Sequence, residues 1–298
     1  MRTNAEAQIG VIVAGHLPPI EGFKAGLQEL GWVEEKNVHF ELRAAEGALD
    51  RLPELASEIV QRDVDVIAVI GAVTVRAVRK VTTDKPIVFA IVVEPLGDGM
   101  ASNIERPGGN VTGVTTFDPA QARTQLEFLR EIVPSIKRVG VLSDLGVSDC
   151  MSNANAKAAM ELGMTSQVAR VKGPAPNFND VIAEMQHSGV RALVALEEPI
   201  VVSCRKQIAD IALASRLPTL FAREQADAGG LIAYGTSLRD AAREMAPYVD
   251  KILKGARPGE MPIRAVANHE LVVNLRTARA LGVTMPLELI QRASLVIQ

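Results

Sequence analysis

Several places in the 298-residue chain hold side chains whose type and position could do chemistry. Glu94-Pro95 closes the apolar run Ile87 to Val93, and Glu197-Glu198-Pro199 closes the run Ala192 to Leu196. A carboxylate at the end of a buried strand sits in partly desolvated surroundings, where it stabilises an ammonium group or a cationic substrate. Two such carboxylates can also act as general acid and general base. Gly71-Ala72-Val73-Thr74 directly follows the apolar run Val64 to Ile70. A strand that turns into a helix there leaves unpaired backbone N–H groups and a threonine hydroxyl, which together suit a carboxylate. The same residues also suit an ordinary helix start and solvated loop carboxylates, and both readings stand at this level. Arg223, after Thr219 to Phe221, offers a fixed positive charge unless it pairs locally. Thr115, Thr116 and Tyr234 fall where the chain would cross between halves, so hinge duty suits them as well as ligand contact.

Signatures of common enzymes are missing. No Gly-x-Gly-x-x-Gly follows the first apolar run, and there is no phosphate loop, no Gly-x-Ser-x-Gly elbow and no His-Glu-x-x-His. The four histidines, His16, His39, His187 and His269, lie far apart, and Cys150 and Cys204 occupy unrelated contexts. No metal or cofactor is expected from such spacing, and the cysteines read as thiols in or near a core. A net charge of −3 and an aromatic content of 3 % argue against nucleic acid, which needs basic surface and stacking platforms. The longest apolar stretch, Val66 to Val73, is far shorter than the roughly 20 residues of a membrane-spanning helix. Residues 1–8 are polar and run straight into Ile9 to Ala14, with no secretion signal between; with Met1 as the start, the expected compartment is the cytoplasm.

The elements that must position these groups follow from periodicity. A length of 298 residues argues for two domains. Ile9 to Ala14 reads as a strand, and Phe23, Leu27 and Leu30 mark one stripe of the helix after it. Val38 to Leu42, Val64 to Ile70 and Ile87 to Val93 read as further strands, with a helix over Leu52, Leu55, Ile59 and Val60. Continuous apolar runs of this kind belong to parallel strands buried on both faces. After the turn cluster Pro107-Gly-Gly-Asn110 the alternation restarts, through a helix ended by Pro134 and strands at Val139–Leu142, Val168–Val171, Ala192–Leu196, Thr219–Phe221 and Leu231–Tyr234. About four βα units on each side of residues 115–119 imply two doubly wound α/β lobes with a groove between them.

The run Phe23-Lys-Ala-Gly-Leu-Gln-Glu-Leu-Gly-Trp-Val-Glu-Glu-Lys-Asn-Val38 resembles the F-x-x-G-L-x-E-L-G-[YW]-x-E-G-x-N-V segment of a family of ABC-transporter substrate-binding proteins. The likeness continues through Arg51 to Ala56, Pro86 to Phe89, Arg106-Pro-Gly-Gly-Asn-Val-Thr-Gly113, Tyr248 to Gly255 and Leu271 to Gly282, and so covers nearly the whole chain. It implies the type I periplasmic-binding-protein fold, two doubly wound three-layer α/β/α lobes joined by a three-segment hinge. One lobe would comprise residues 1–117 with 236–268, the other 118–235 with 269–298. Members related to tryptophan and tyrosine uptake imply an amino acid, or an aromatic or carboxylic acid, bound by hinge closure and presented to a membrane permease. The implied protein is a monomer without catalytic activity, working in the periplasm or otherwise outside the cytoplasm. Its expected contacts are Gly15 and His16 after the first strand, Gly71, Ala72, Val73 and Thr74, Glu94, Thr115, Asp144, Glu198, Arg223 and Tyr234. Three departures stand out: a short loop at Gly15 to Pro19, Glu94-Pro95 in place of Asp-Pro, and Ser143-Asp144-Leu145 in place of an Asn-Pro motif. The alternatives are a ligand-sensing domain of a regulatory system and a cleft enzyme using paired carboxylates. The first would need a helix-turn-helix, which the eight residues before Ile9 do not hold.

Overall fold

The computed structural model describes residues 6–14, 18–97, 99–173 and 175–298. Its chain begins with β1 (Ala7–Val13), α1 (Pro18–Glu29), β2 (Val38–Ala44), α2 (Leu52–Gln61), β3 (Val66–Ile70), α3 (Ala72–Arg79), β4 (Ile87–Val92) and β5 (Val111–Thr115). It continues with α4 (Pro119–Ile132), β6 (Arg138–Asp144), α5 (Cys150–Glu161), β7 (Thr165–Val171), α6 (Phe178–His187), β8 (Ala192–Ala195), α7 (Pro199–Ser203), α8 (Arg205–Ala214), β9 (Thr219–Phe221) and β10 (Ile232–Gly235). Then follow α9 (Leu238–Arg243), α10 (Ala246–Leu253), β11 (Arg264–Ala265), β12 (Glu270–Asn274), α11 (Leu275–Leu281), α12 (Leu287–Arg292) and β13 (Leu295–Ile297). The elements fall into two units, Met1–Phe117 with Leu238–Ala267 and Asp118–Ser237 with Asn268–Gln298.

Unit 1 holds a sheet of order β11-β5-β4-β3-β1-β2 in which every pair is parallel. Its strands carry apolar side chains on both faces, and helices cover both. Ile20, Phe23 and Leu27 of α1 join Ala241 and Ala242 of α9 and Val249 of α10 on one face. Leu55, Ala56 and Ile59 of α2 join Val75 and Val78 of α3 on the other. Unit 2 repeats the plan in the order β13-β12-β10-β9-β8-β6-β7, with α4, α5, α11 and α12 on one face and α6, α7 and α8 on the other. Parallel pairing predominates, but β12 runs antiparallel to β10.

Some boundaries differ from the periodic reading, for local reasons. Leu30 lies beyond the end of α1, where the chain turns at Gly31 with φ 91°, and it is 43 % exposed. Val64 is buried but its N–H turns back to the Arg62 carbonyl at 2.9 Å, so β3 begins two residues later. The docking of α1 on α9 rests on close backbone approach. A Cβ on Gly22 would stand 2.0 Å from the Arg239 carbonyl oxygen, and one on Gly26 would stand 2.8 Å from that of Arg243.

Candidate functional site

In each unit the strand order reverses once, between β1 and β3 in unit 1 and between β6 and β8 in unit 2. Loops leaving the carboxyl ends of two such strands part to opposite faces of the sheet, and the crevice they leave is where open α/β sheets take ligands. The residues after β3, β6 and β8 are the ones whose chemistry stood out in the sequence. Gly15 and His16, which follow β1, lie outside the described residues.

After β3, Gly71 takes φ 93°, a backbone conformation that glycine adopts without steric cost, and so turns the chain sharply into α3. The Gly71 N–H donates to the Ala90 carbonyl at 3.0 Å, and its carbonyl accepts from the N–H groups of Thr74 and Val75, both at 3.1 Å. No side chain caps this helix. The first N–H groups of a helix have no acceptor within it, so those of Ala72 and Val73 are directed outward. Thr74 is fully buried, and its hydroxyl has no hydrogen-bond partner among the described residues. That hydroxyl lies 4.0 Å from the position a Cβ on Gly71 would take, beside the start of α3.

The neighbouring strand β4 ends irregularly. Phe89 pairs with Gly113 of β5 but Val92 pairs with Thr115, so β4 carries one residue more than its partner. Ile91 in this bulge has φ 60°. Thr115 clamps the distorted end: its Oγ1 donates to the Val92 carbonyl at 2.7 Å and accepts from the Phe117 N–H at 3.1 Å. Thr115 is therefore a structural tie, 8 % exposed, rather than an open hydroxyl. Glu94 follows, half-buried, with Oε2 3.1 Å from where a Cβ on Gly97 would stand.

In unit 2 the two predicted carboxylates meet. Glu198 Oε2 accepts from the Ser143 hydroxyl at 2.8 Å and from the Asp144 N–H at 2.5 Å. Asp144 answers in kind, Oδ2 accepting from the Ile200 N–H at 3.1 Å and Oδ1 from the Gly146 N–H at 2.7 Å. The pair staples the ends of β6 and β8 across the strand reversal, each carboxylate serving the backbone of the other's loop. Glu198 Oε1 is left buried with no partner among the described residues. Burial pushes the Glu198 carboxyl up, against the pull of the Asp144 N–H and the Ser143 hydroxyl. Half-buried Glu197 is pushed up to about 7, chiefly by burial and secondly by the charge of Glu224.

Arg223 and Tyr234 hold other positions. The Arg223 guanidinium is bound to Glu270, so the local-pairing alternative is the one observed and the arginine is not an uncompensated charge. Tyr234 stacks on His269 with ring centroids 5.5 Å apart and meets the Phe128 ring edge-on at 4.9 Å. Its carbonyl accepts from the Gln125 amide at 3.1 Å. Burial raises the pKa of the Tyr234 phenol, with the charge of Asp118 adding to it. The roles of Ser143 and His269 were not legible from spacing, because their partners lie far away in sequence. Among the described residues no three metal-ligating side chains converge, and no helix is long and apolar enough to cross a membrane. Cys150 and Cys204 are half-buried, and neither is in a disulfide.

Two doubly wound units, each with polar groups at the carboxyl ends of its reversing strands, make a two-unit α/β fold of the kind that takes ligands at its strand ends. Residues 10–297 match the family described as ABC transporter substrate binding protein, and the chain belongs to that family, one of binding proteins rather than enzymes. A tyrosine-binding protein of Clostridioides difficile is 22 % identical over 265 residues, which is 88 % of this chain and 75 % of that protein. Among solved structures, an ABC domain in complex with L-Trp from Streptococcus pneumonia superposes with a TM-score of 0.81 at 24 % identity, covering 98 % of this chain and all of that one. The ligand-free, open structure of a substrate binding protein with adhesive properties from Clostridium difficile gives 0.82 at 22 % identity, over 98 % and 99 % of the two chains. The fold is that of type I periplasmic binding proteins.

Proposed function

We propose that this chain is the solute-capturing component of an ABC importer, and that its solute is a free amino acid or a small aromatic or carboxylic acid. The solute would be gripped by the carboxyl edges of both units as a hinge closes, and delivered to a membrane permease outside the cytoplasm. One observation carries the reading: the buried, unpartnered Thr74 hydroxyl beside the uncapped start of α3 in unit 1. A carboxylate placed there would receive that hydroxyl and the N–H groups of Ala72 and Val73, a charge-assisted set at the positive end of a helix. The solute's ammonium group would meet a carboxylate at a strand end, with Glu94 in unit 1 the half-buried candidate. Tyrosine binding by one relative and the L-Trp complex of another favour an amino acid. Closure follows to the extent that the solute binds the closed arrangement more tightly than the open one.

Isothermal titration of the full chain with L-tyrosine and L-tryptophan tests the reading. The wild type is expected to bind at least one of them, and Thr74→Val combined with Glu94→Gln to weaken binding roughly 10- to 100-fold while the chain stays folded. Equal affinity in the double variant removes these two residues from the site.

A further inference from the structure

Ile91 stands in a place that its own chemistry does not favour. At φ 60° a β-branched side chain crowds the backbone, and residues found there are usually glycine or asparagine. The conformation is imposed from both sides. Gly71 holds the Ala90 carbonyl at 3.0 Å, and Thr115 and the Thr116 N–H hold that of Val92 at 2.7 and 3.2 Å. Gly113 lets β5 press against β4, since a Cβ there would stand 2.1 Å from the Phe89 carbonyl oxygen.

The extra residue also changes which way side chains point. Ile87 and Phe89 pack on the face covered by α2 and α3, and Val88 and Ala90 on the face covered by α1 and α9. Regular alternation would send Ile91 to the first of these. It packs instead on the second, together with Ala90, and Val92 returns to the first. Ile91 thus packs against the core cluster that includes Val13, Ile70 and Val114, residues near the carboxyl ends of β1, β3 and β5, with part of its own surface uncovered. It lies one residue from the carbonyl that anchors Gly71 and three from Glu94. A glycine would satisfy the backbone here without strain; the branched aliphatic present instead adds apolar surface at the end of β4, part of it packed on the core and part uncovered.

We infer that Ile91 is a specificity-determining residue of unit 1, its side chain turned by the bulge to form an aliphatic wall against which the solute's own side chain is selected. The inference rests on the solute-binding reading above and adds the group that ranks one amino acid against another.

Ile91→Gly and Ile91→Asn both accept the left-handed backbone and remove the wall, so either one serves if the other folds poorly. Affinities of wild type and variants are compared for L-alanine, L-leucine, L-tyrosine and L-tryptophan, beside thermal midpoints. The expected result is a change of about tenfold or more in the ratio of affinities between large and small side chains, the scale at which an apolar pocket reads one or two methylenes. A ratio that moves less than tenfold, while wild type binds, overturns the assignment of Ile91 and leaves the solute-binding reading in place. A wild-type chain that binds none of the four overturns both.

Discussion

Glu198 and Asp144 owe their positions to each other. Removing the Glu198 carboxylate strips the Asp144 N–H and the Ser143 hydroxyl of their acceptor inside the protein. Glu198→Ala is therefore expected to lower stability by about 1–3 kcal/mol, whereas Glu198→Gln keeps one acceptor oxygen and should cost less; urea denaturation midpoints distinguish the two. Glu197 makes a different prediction. Its folded pKa of about 7 lies above the ordinary value of 4.5, so between these values the folded chain holds a proton that the unfolded chain has released. Stability falls as pH rises through that window and stays lower above it. Glu197→Gln should stabilise the protein by roughly 1–3 kcal/mol at pH 8 and make no difference near pH 4, read from thermal midpoints in matched buffers. Sequence spacing identified the Glu197-Glu198 pair as chemically notable. It did not separate the two residues, because the partners that divide them, Ser143 and Glu224, come from other strand ends.

At the scale of elements, most strands and helices were legible because burial on two faces writes continuous apolar runs and burial on one writes helical stripes. Close approach between distant helices writes no period. Gly22 and Gly26 add nothing to the apolar stripe of α1, and their role emerges only where α9, arriving more than two hundred positions later, is laid across them. The sign of one substitution depends on this. In an isolated helix, glycine to alanine gains about 1 kcal/mol. Gly22→Ala is expected instead to destabilise by roughly 2 kcal/mol or more, because the obstruction is a backbone carbonyl that cannot swing aside. Chemical unfolding of the single variant checks the sign. The β4 bulge was illegible for a related reason: Ile87 to Val93 is uniformly apolar, so a phase change within it leaves the hydrophobic pattern intact.

For the whole molecule, the prediction concerns linkage. A solute that binds the folded chain at a hundred times its dissociation constant adds about 2.7 kcal/mol of stability. L-tyrosine or L-tryptophan, whichever binds, should then raise the thermal midpoint by roughly 5–10 °C, and scanning calorimetry with and without it reads the shift. The two-lobe plan was legible in length and alternation, and the family likeness extended it to a chain passing three times between units. Those passages occur at 117/118, 237/238 and 267/268. They have a consequence during synthesis. The apolar face of α1, with Ile20, Phe23 and Leu27, waits for Ala241, Ala242 and Val249 to cover it. At 5–20 residues per second the ribosome takes about 10–40 s to reach them. For that interval the nascent first unit is an incomplete sheet with a bare apolar side, a natural client for a holdase.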